Sequence, residues 1–241
     1  MKNAEEAVYE EKKMEEMEVC FLMDRFGYMK LIDKNAYERN KEAVHNENKY
    51  VFNCMNTDKI CIFTDTGKMH TIKAVDIPLG RFRDKGTPVD NLSNYDSSQE
   101  RMLYVAPVGQ LRSDRLLFVT KTSMCKLVEG AEFDVAKRTI ASTKLADEDE
   151  LIFIGSASEM EQIVLQSHGG CFLRFLTQEV STMKKTALGV RGMKLADDDY
   201  LEHAYLLAGH QEYTISYHDK EYALNKVRLA KRDTKGIKPR I

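Results

Sequence analysis

Five pairs of short apolar or alternating runs recur along the chain, and a tight polar turn separates the two runs of each pair. The pattern is clearest at residues 163–166 and 171–175, on either side of Ser167, His168, Gly169 and Gly170. Two glycines can supply the positive φ of a tight hairpin turn, so this segment predicts a two-stranded ribbon. The other pairs are residues 19–23 and 28–32, 60–63 and 69–73, 115–120 and 124–128, and 213–217 and 222–224.

The hairpins recur with a spacing typical of propellers and other repeat arrays. From turn to turn the distances are 40, 56, 46 and 51 residues. At such periods no unit buries its apolar face without a neighbour. Further apolar runs at residues 50–54, 102–106, 151–154 and 200–207 precede the later hairpins and are interpreted as inner strands. We expect an all-β, propeller-like disc of about five four-stranded antiparallel blades, with six as the alternative.

The first hairpin has no such run before it, so the opening blade is expected to lack a strand. The segment at residues 236–241 is free to supply it and to close the disc, which would remove an exposed sheet edge. Residues 4–17 contain strong helix formers without Gly or Pro and predict a short acidic helix. The predicted organisation is therefore a connector at residues 1–18 and one domain at residues 19–241.

Composition restricts the class of protein. With 43% hydrophobic and 31% charged residues the chain is core-forming, and no apolar run reaches the roughly 20 residues of a membrane span. Five cysteines without a CxxC pair indicate buried thiols in a reducing compartment, so we expect a cytoplasmic protein. The six histidines show no paired spacing. Neither a metal nor a cofactor is expected.

Charge is distributed unevenly. Residues 1–18 carry seven acids and three bases, whereas residues 220–241 carry eight bases and two acids. A terminal segment this basic on a near-neutral chain indicates a polyanionic partner. Basic residues also recur after successive hairpins, at the outer corner of each predicted blade. A rim of repeated cations suits the regularly spaced phosphates of duplex DNA without base readout. The candidate DNA-binding residues are Arg81, Arg83, Lys85, Lys137, Arg138, Lys184, Lys185, Arg191, Lys231, Arg232 and Lys235.

Two other classes of function compete with DNA binding. A propeller hydrolase would need paired carboxylates, and the nearest are the acidic clusters at residues 147–150 and 197–199. Both occupy polar turns in register, where Asp bonds its own backbone, which favours a structural role. A protein-binding propeller is the other alternative, although the chain has no Trp and no WD40 or kelch signature.

Three phrases in the repeats resemble a known family. The segments TALGVRGMKLADDD, TDTGKMHTIKAVDIP and RFRDKGTPVDNL are similar to the blade phrases of the C-terminal domain of the A subunit of bacterial type IIA topoisomerases, DNA gyrase and topoisomerase IV. The resemblance runs from about Val19 to the end. It implies a β-pinwheel, a disc whose blades exchange strands and whose perimeter binds and bends double-stranded DNA.

The resemblance also implies partners. These are a breakage-reunion core of the same polypeptide, upstream of this chain, and an ATPase B subunit, with the catalytic residues outside this chain. Gyrase A subunits carry a box, QRRGGKG, in the first blade, and residues 38–44 (ERNKEAV) do not resemble it. Residues 80–86 (GRFRDKG) and 230–236 (AKRDTKG) keep parts of it. Within the family, absence of this box implies that DNA is not fully wrapped, so the resemblance favours a topoisomerase IV A subunit or a divergent gyrase-like paralogue. The alternative is a gyrase domain that wraps DNA fully.

Overall fold

The protein is described by a computed structural model that covers residues 15–209 and 211–239. The acidic helix predicted at residues 4–17 falls outside this range except for Glu15, Glu16 and Met17, and these three are not helical. The boundary at residues 18/19 stays a prediction. In the described part, no helix is long and apolar enough to cross a membrane.

All five predicted hairpins are present. Each turns on a residue with positive φ: Gly27, Gly67 and Gly170 in three of them, and Ser123 and Asp219 in the others. The positive φ is the reason for Gly at three of these turns. The hairpin strands are β1 (Glu18–Asp24) with β2 (Tyr28–Asp33), β4 (Lys59–Thr64) with β5 (Lys68–Lys73), β8 (Arg115–Thr120) with β9 (Met124–Glu129), β12 (Gln162–Ser167) with β13 (Phe172–Leu176), and β16 (Thr214–Tyr217) with β17 (Lys220–Ala223).

Each hairpin belongs to one antiparallel sheet, so the described residues form five blades. Inner strands pair with the first hairpin strand of four blades, and short outer strands pair with the second hairpin strand of three. The inner strands are β3 (Asn48–Met55), β7 (Met102–Pro107), β11 (Leu151–Ser156) and β15 (Leu201–Leu207). The outer strands are β6 (Thr87–Pro88), β10 (Thr139–Ala141) and β14 (Val190–Arg191). Blades one to three have four strands, blade four has three and blade five has two.

The outer strand of each blade comes from the segment that follows the next hairpin. β6 follows the second hairpin but pairs with β2 of blade one, and β10 and β14 pair in the same way with β5 and β9. In blade four a single bridge between Phe172 and Ile237 takes this place. The exchange of strands between neighbouring blades is the β-pinwheel arrangement that the sequence resemblance implied.

Two expectations about the ends of the disc are wrong. The inner strands pair with the hairpin before them in the sequence, as β3 does with β1, so the opening blade is complete and the last is short. Ile237 bridges to blade four, so the terminal segment does not complete blade one. Within residues 15–209 and 211–239, no hydrogen bond or salt bridge joins blade five to blade one.

The cores lie between adjacent blades, because alternate residues of each hairpin point to opposite faces. Val19, Phe21 and Met23 of β1 pack against blade two, and corresponding apolar clusters fill the next three junctions. The other face of β1, with Cys20 and Leu22, is covered by a helix. Four of the five free cysteines are buried in these cores, and Cys171 is half-buried.

That helix, α1 (Lys34–Glu47), was not predicted from the sequence. The Asp33 carboxylate caps it by accepting from the Ala36 N–H at 2.8 Å, and Val44 is its fully buried residue. α1 closes the open side of the array like a capping repeat. The remaining helices are α2 (Val89–Leu92), α3 (Val108–Leu111) and 3-10 turns at Ala74–Asp76, Gly130–Phe133, Thr177–Glu179 and Leu224–Lys226.

Candidate nucleic-acid interface

Ten of the eleven predicted DNA-binding residues lie on loops that run along the outer edge of the disc, and Arg191 lies on the outer strand β14 that follows one of these loops. After each 3-10 turn the chain crosses to the preceding blade. In three crossings a parallel bridge joins it to the second hairpin strand of that blade: Leu31 to Leu79, Leu127 to Thr182 and Arg174 to Leu229. The loops at residues 80–86, 181–189 and 230–236 follow these bridges, and blade three has a shorter crossing at residues 134–138. We call these four segments the perimeter loops.

Most of the predicted cations on the perimeter loops point into solvent. In the described part of the chain, six are exposed and their side chains form no hydrogen bond or salt bridge, namely Arg81, Arg83, Lys137, Arg138, Lys231 and Lys235. The ammonium of Lys85 lies 4.7 Å from the centroid of the Tyr28 ring. Lys184 is 81% exposed and lies 3.4 Å from Glu132. These eight side chains are available to an external anion.

Three other predicted cations are engaged within the protein. Lys185 is half-buried and donates from Nζ to the carbonyl oxygen of Glu132 at 2.9 Å. Arg232 donates from Nε to the carbonyl oxygen of Glu179 at 3.0 Å. Arg191 forms a two-point pair with Asp233 that raises the pKa of the guanidinium and lowers the pKa of the carboxyl. These side chains organise the perimeter loops as well as adding charge.

Two lysines on the second hairpin strands, β2 and β9, hold the perimeter loops from the inside. Lys126 is 1% exposed and its Nζ donates to the carbonyl oxygens of Lys185 and Ala187 at 2.8 and 2.6 Å. Lys30, at the same position of blade one, donates to the carbonyl oxygen of Asp84 at 2.7 Å. Burial lowers the pKa of Lys126 to about 8. The loop backbone is fixed by these donors, which leaves the outward cations free.

Two lysines beside the perimeter loops were not among the residues predicted from the sequence. The exposed Lys144 donates its N–H to the Lys185 carbonyl oxygen at 3.0 Å, and the exposed Lys194 donates its N–H to the Thr234 carbonyl oxygen at 3.0 Å. The sequence does contain a pattern that indicates them, because each is the first residue of the repeated phrase Lys-Leu-Ala-Asp, at residues 144–147 and 194–197.

The first blade has no perimeter loop of this kind. Its corresponding segment, residues 34–47, is the helix α1, which packs on its own blade and donates no strand. Residues 38–44, which do not resemble the gyrase box, therefore lie on a helix. Arg39 and Lys41 are the exposed cations there.

The acidic turns have structural hydrogen bonds. Asp199 Oδ1 accepts from the N–H groups of Gly169 and Tyr200 at 2.8 and 2.9 Å, and Asp149 accepts from the backbone and hydroxyl of Thr122. Burial raises the pKa of Asp199, but hydrogen bonds to the carboxylate outweigh it and the net shift is downward. Each carboxylate ties a hairpin turn to the following inner strand. Among the described residues, no group of three His, Cys, Asp or Glu is placed to hold a metal ion.

Comparisons with known proteins agree with this architecture. The family model described as the DNA gyrase C-terminal domain, beta-propeller, matches residues 58–97, 114–158 and 161–208, more than half of the chain. The DNA gyrase A subunit of Ureaplasma parvum is 25% identical over 236 residues, which cover 91% of this chain and 28% of that protein. The chain thus spans under a third of the length of the curated relatives that it matches.

Two solved structures share the fold. The crystal structure of the C-terminal domain of DNA topoisomerase IV has a TM-score of 0.81 and 22% identity, covering 93% of this chain and 73% of that one. A DNA gyrase A C-terminal domain has a TM-score of 0.60 and 18% identity, covering 92% of this chain and 76% of that one.

The fold and the perimeter loops define a β-pinwheel domain of the type IIA topoisomerase A subunits. By the family match, the chain belongs to the DNA gyrase C-terminal domain, beta-propeller family.

Proposed function

We propose that this domain binds duplex DNA on its basic perimeter, without sequence specificity, and bends it for an ATP-dependent type IIA topoisomerase. The observation that carries the proposal is the set of eight available cations on four successive perimeter loops. When Lys and Arg side chains neutralise DNA phosphates, the counterions bound to the DNA are released. This release provides affinity that does not depend on contacts with the bases. Bending a few tens of base pairs smoothly costs on the order of 1–6 kcal/mol, which several phosphate contacts can offset.

In this proposal the domain itself performs no chemistry. The catalytic residues belong to a breakage-reunion core joined to residues 1–18, and an ATPase B subunit completes the enzyme. The hydrogen bonds of Asp149 and Asp199 support a structural role for the acidic turns over a hydrolytic one. The domain holds a bent segment and steers it as the transported duplex.

We further propose that the parent enzyme relaxes or decatenates DNA better than it introduces negative supercoils. A chiral wrap requires a DNA path fixed around most of the perimeter. Blade one contributes the helix α1 where the later blades contribute perimeter loops, and no hydrogen bond or salt bridge among the described residues closes the array between blades five and one. The alternative, a gyrase domain that wraps DNA fully, would have to use residues 80–86 or 230–236 in place of the missing box.

Two experiments test these proposals separately. The logarithm of the affinity for duplex DNA should fall linearly and steeply with the logarithm of the salt concentration. Duplexes of unrelated sequence should bind with equal affinity. An affinity that does not change with salt would refute DNA binding. The domain joined to its native core and ATPase partner should relax or decatenate plasmid DNA, and efficient negative supercoiling of relaxed plasmid would support the wrapping alternative.

A further inference from the structure

The second and third hairpins begin with equivalent pairs of charged residues, Asp58-Lys59 and Asp114-Arg115. In each pair the Asp carboxylate accepts from the N–H of the following residue, at 2.8 and 2.7 Å. The Asp carbonyl oxygen accepts from the first residue of the blade's 3-10 turn, at 2.8 Å in both blades. Lys59 and Arg115 therefore occupy matching positions, at the blade end away from the hairpin turn.

Lys59 is neutralised across the junction with the next blade. Its Nζ donates to Asp134 Oδ1 at 3.0 Å, and Arg112 Nε donates to Asp134 Oδ2 at 2.9 Å. Hydrogen bonds from Lys59 and Arg112 lower the pKa of Asp134. Asp134 directly follows Phe133, the buried residue that ends the 3-10 turn of blade three. A carboxylate of the protein thus closes the junction between blades two and three.

Arg115 has no such partner at the next junction. The residue after the buried Val180, at the end of the 3-10 turn of blade four, is Ser181. Among the described residues, the Arg115 guanidinium forms no hydrogen bond or salt bridge. It lines a cleft of about 620 Å³ together with Leu127, Met160 and Ser181. We call this the Arg115 cleft.

A second unpaired polar group lies in the same cleft. Thr177 lines the cleft and is 5% exposed, and its buried hydroxyl oxygen has no hydrogen-bond partner within residues 15–209 and 211–239. Leaving a buried hydroxyl unsatisfied costs free energy, and a carboxylate in the cleft would recover it only after the packing around this oxygen opens. A guanidinium and a hydroxyl are both donors to an oxyanion.

We propose that the Arg115 cleft binds an aspartate or glutamate side chain of a partner polypeptide. The bound carboxylate takes the place that Asp134 fills at the preceding junction, and Leu127 and Met160 contact its methylene groups. Glu161, also in the lining, favours a single carboxylate over DNA. A duplex would carry one charge per about 1.7 Å past this acidic side chain.

The test uses the 241-residue chain and two eight-residue peptides, N-acetylated and C-amidated, in which glycine alternates with glutamate or with glutamine. Calorimetric titration should give saturable binding of the glutamate peptide and none of the glutamine peptide. Arg115→Gln should weaken binding at least about tenfold, as expected for a charge-assisted hydrogen bond. Ser181→Asp, which places a carboxylate in the cleft, should abolish it. Lys59→Gln is the matched control and should bind like the parent.

Three results would overturn the proposal. These are equal binding of both peptides, unchanged binding by Arg115→Gln, or loss of duplex DNA affinity in Arg115→Gln as large as that in a perimeter-loop variant. The last result would assign Arg115 to the DNA path. If Arg115→Gln does not fold, the Ser181→Asp variant tests the proposal instead. Binding of the glutamate peptide by Ser181→Asp would refute it.

Discussion

Lys126 Nζ donates to the carbonyl oxygen of Lys185 at 2.8 Å, which connects the hairpin strand β9 of blade three to the perimeter loop of blade four. The donor is buried, whereas the loop presents Lys184 to solvent. A buried lysine therefore positions the loop that carries an exposed one. Lys30 and Asp84 repeat this relationship in blades one and two.

Because Lys126 is buried, we expect its contribution to the free energy of unfolding to rise with pH. Burial lowers its pKa from 10.5 to about 8 in the folded protein. Between these values the unfolded chain holds a proton that the folded chain has lost, so raising the pH favours folding. We expect a gain of about 2 kcal/mol in the free energy of unfolding between about pH 7.5 and 9.5, relative to Lys126→Met.

Urea unfolding of both proteins across this pH range measures the gain. The difference between parent and variant isolates Lys126 from the other titrating groups. Lys126→Met should be less stable at every pH, because two loop carbonyls lose their donor. A difference that does not change with pH would contradict the lowered pKa.

Removing the charges of Arg81 and Arg83 should reduce the salt dependence of DNA binding. Both are exposed and free of partners in the described part of the chain, so Arg81→Gln/Arg83→Gln should fold normally. If each contacts one phosphate, the slope of log affinity against log salt should fall by about 1 per residue removed. Electrophoretic or fluorescence titrations at several salt concentrations measure this slope.

The matched control is Arg39→Gln/Lys41→Gln on the helix α1. These two cations are also exposed, but they lie where blade one lacks a perimeter loop. Their removal should leave the slope unchanged. An equal effect of the two double variants would mean that DNA crosses α1, which favours the wrapping alternative.

Asp233→Asn should strengthen DNA binding. Asp233 pairs with Arg191, and both side chains are more than a third exposed, so solvent screens the pair and it contributes little to stability. Asp233 has a positive φ of 62°, a backbone conformation that Asn also tolerates. Removing the acid frees Arg191 and should raise duplex affinity about fivefold, or about 1 kcal/mol, at low salt. Reduced affinity would show that the pair itself shapes the DNA-binding surface.

Gly86→Ala should disrupt the exchanged strand β6. A Cβ at Gly86 would lie 2.6 Å from the Met29 carbonyl oxygen, within the backbone of blade one. We expect a loss of about 1–3 kcal/mol in stability and faster amide exchange at Thr87. Gly80→Ala in the same loop is the control, since its Cβ would meet only the Asp84 side chain at 3.0 Å. Equal stability of the two variants would contradict the close packing of β6.

The sequence predicted the hairpins but not which neighbour each inner strand joins. An apolar run such as residues 102–106 lies between two hairpins and has the same alternation whichever it pairs with. Its pairing with β4 depends on the tertiary packing of the blades. The helix α1 was missed because it buries few side chains, although Asp33 before a stretch without Gly or Pro was a usable capping signal.

The candidate site was predictable as a set of positions, but the roles within the set were not. Arg81 and Arg232 look alike in the sequence, and in the structure one is free whereas the other donates to the Glu179 carbonyl oxygen. That difference depends on contacts across 53 residues. The sequence cannot indicate such a partner, whereas a repeated phrase such as Lys-Leu-Ala-Asp can indicate a further cation.

Strand exchange has a consequence for how such a domain can change in size during evolution. One sequence unit supplies a hairpin and an inner strand to its own blade and an outer strand to the blade before it. A tandem duplication of the whole unit would therefore insert a new blade with all four strands, because the copy both donates and receives an outer strand. Partial duplications would leave an unpaired edge. Blade number can thus vary in whole units, while the first unit, which carries the helix α1 between its hairpin and its inner strand β3, stays at the beginning.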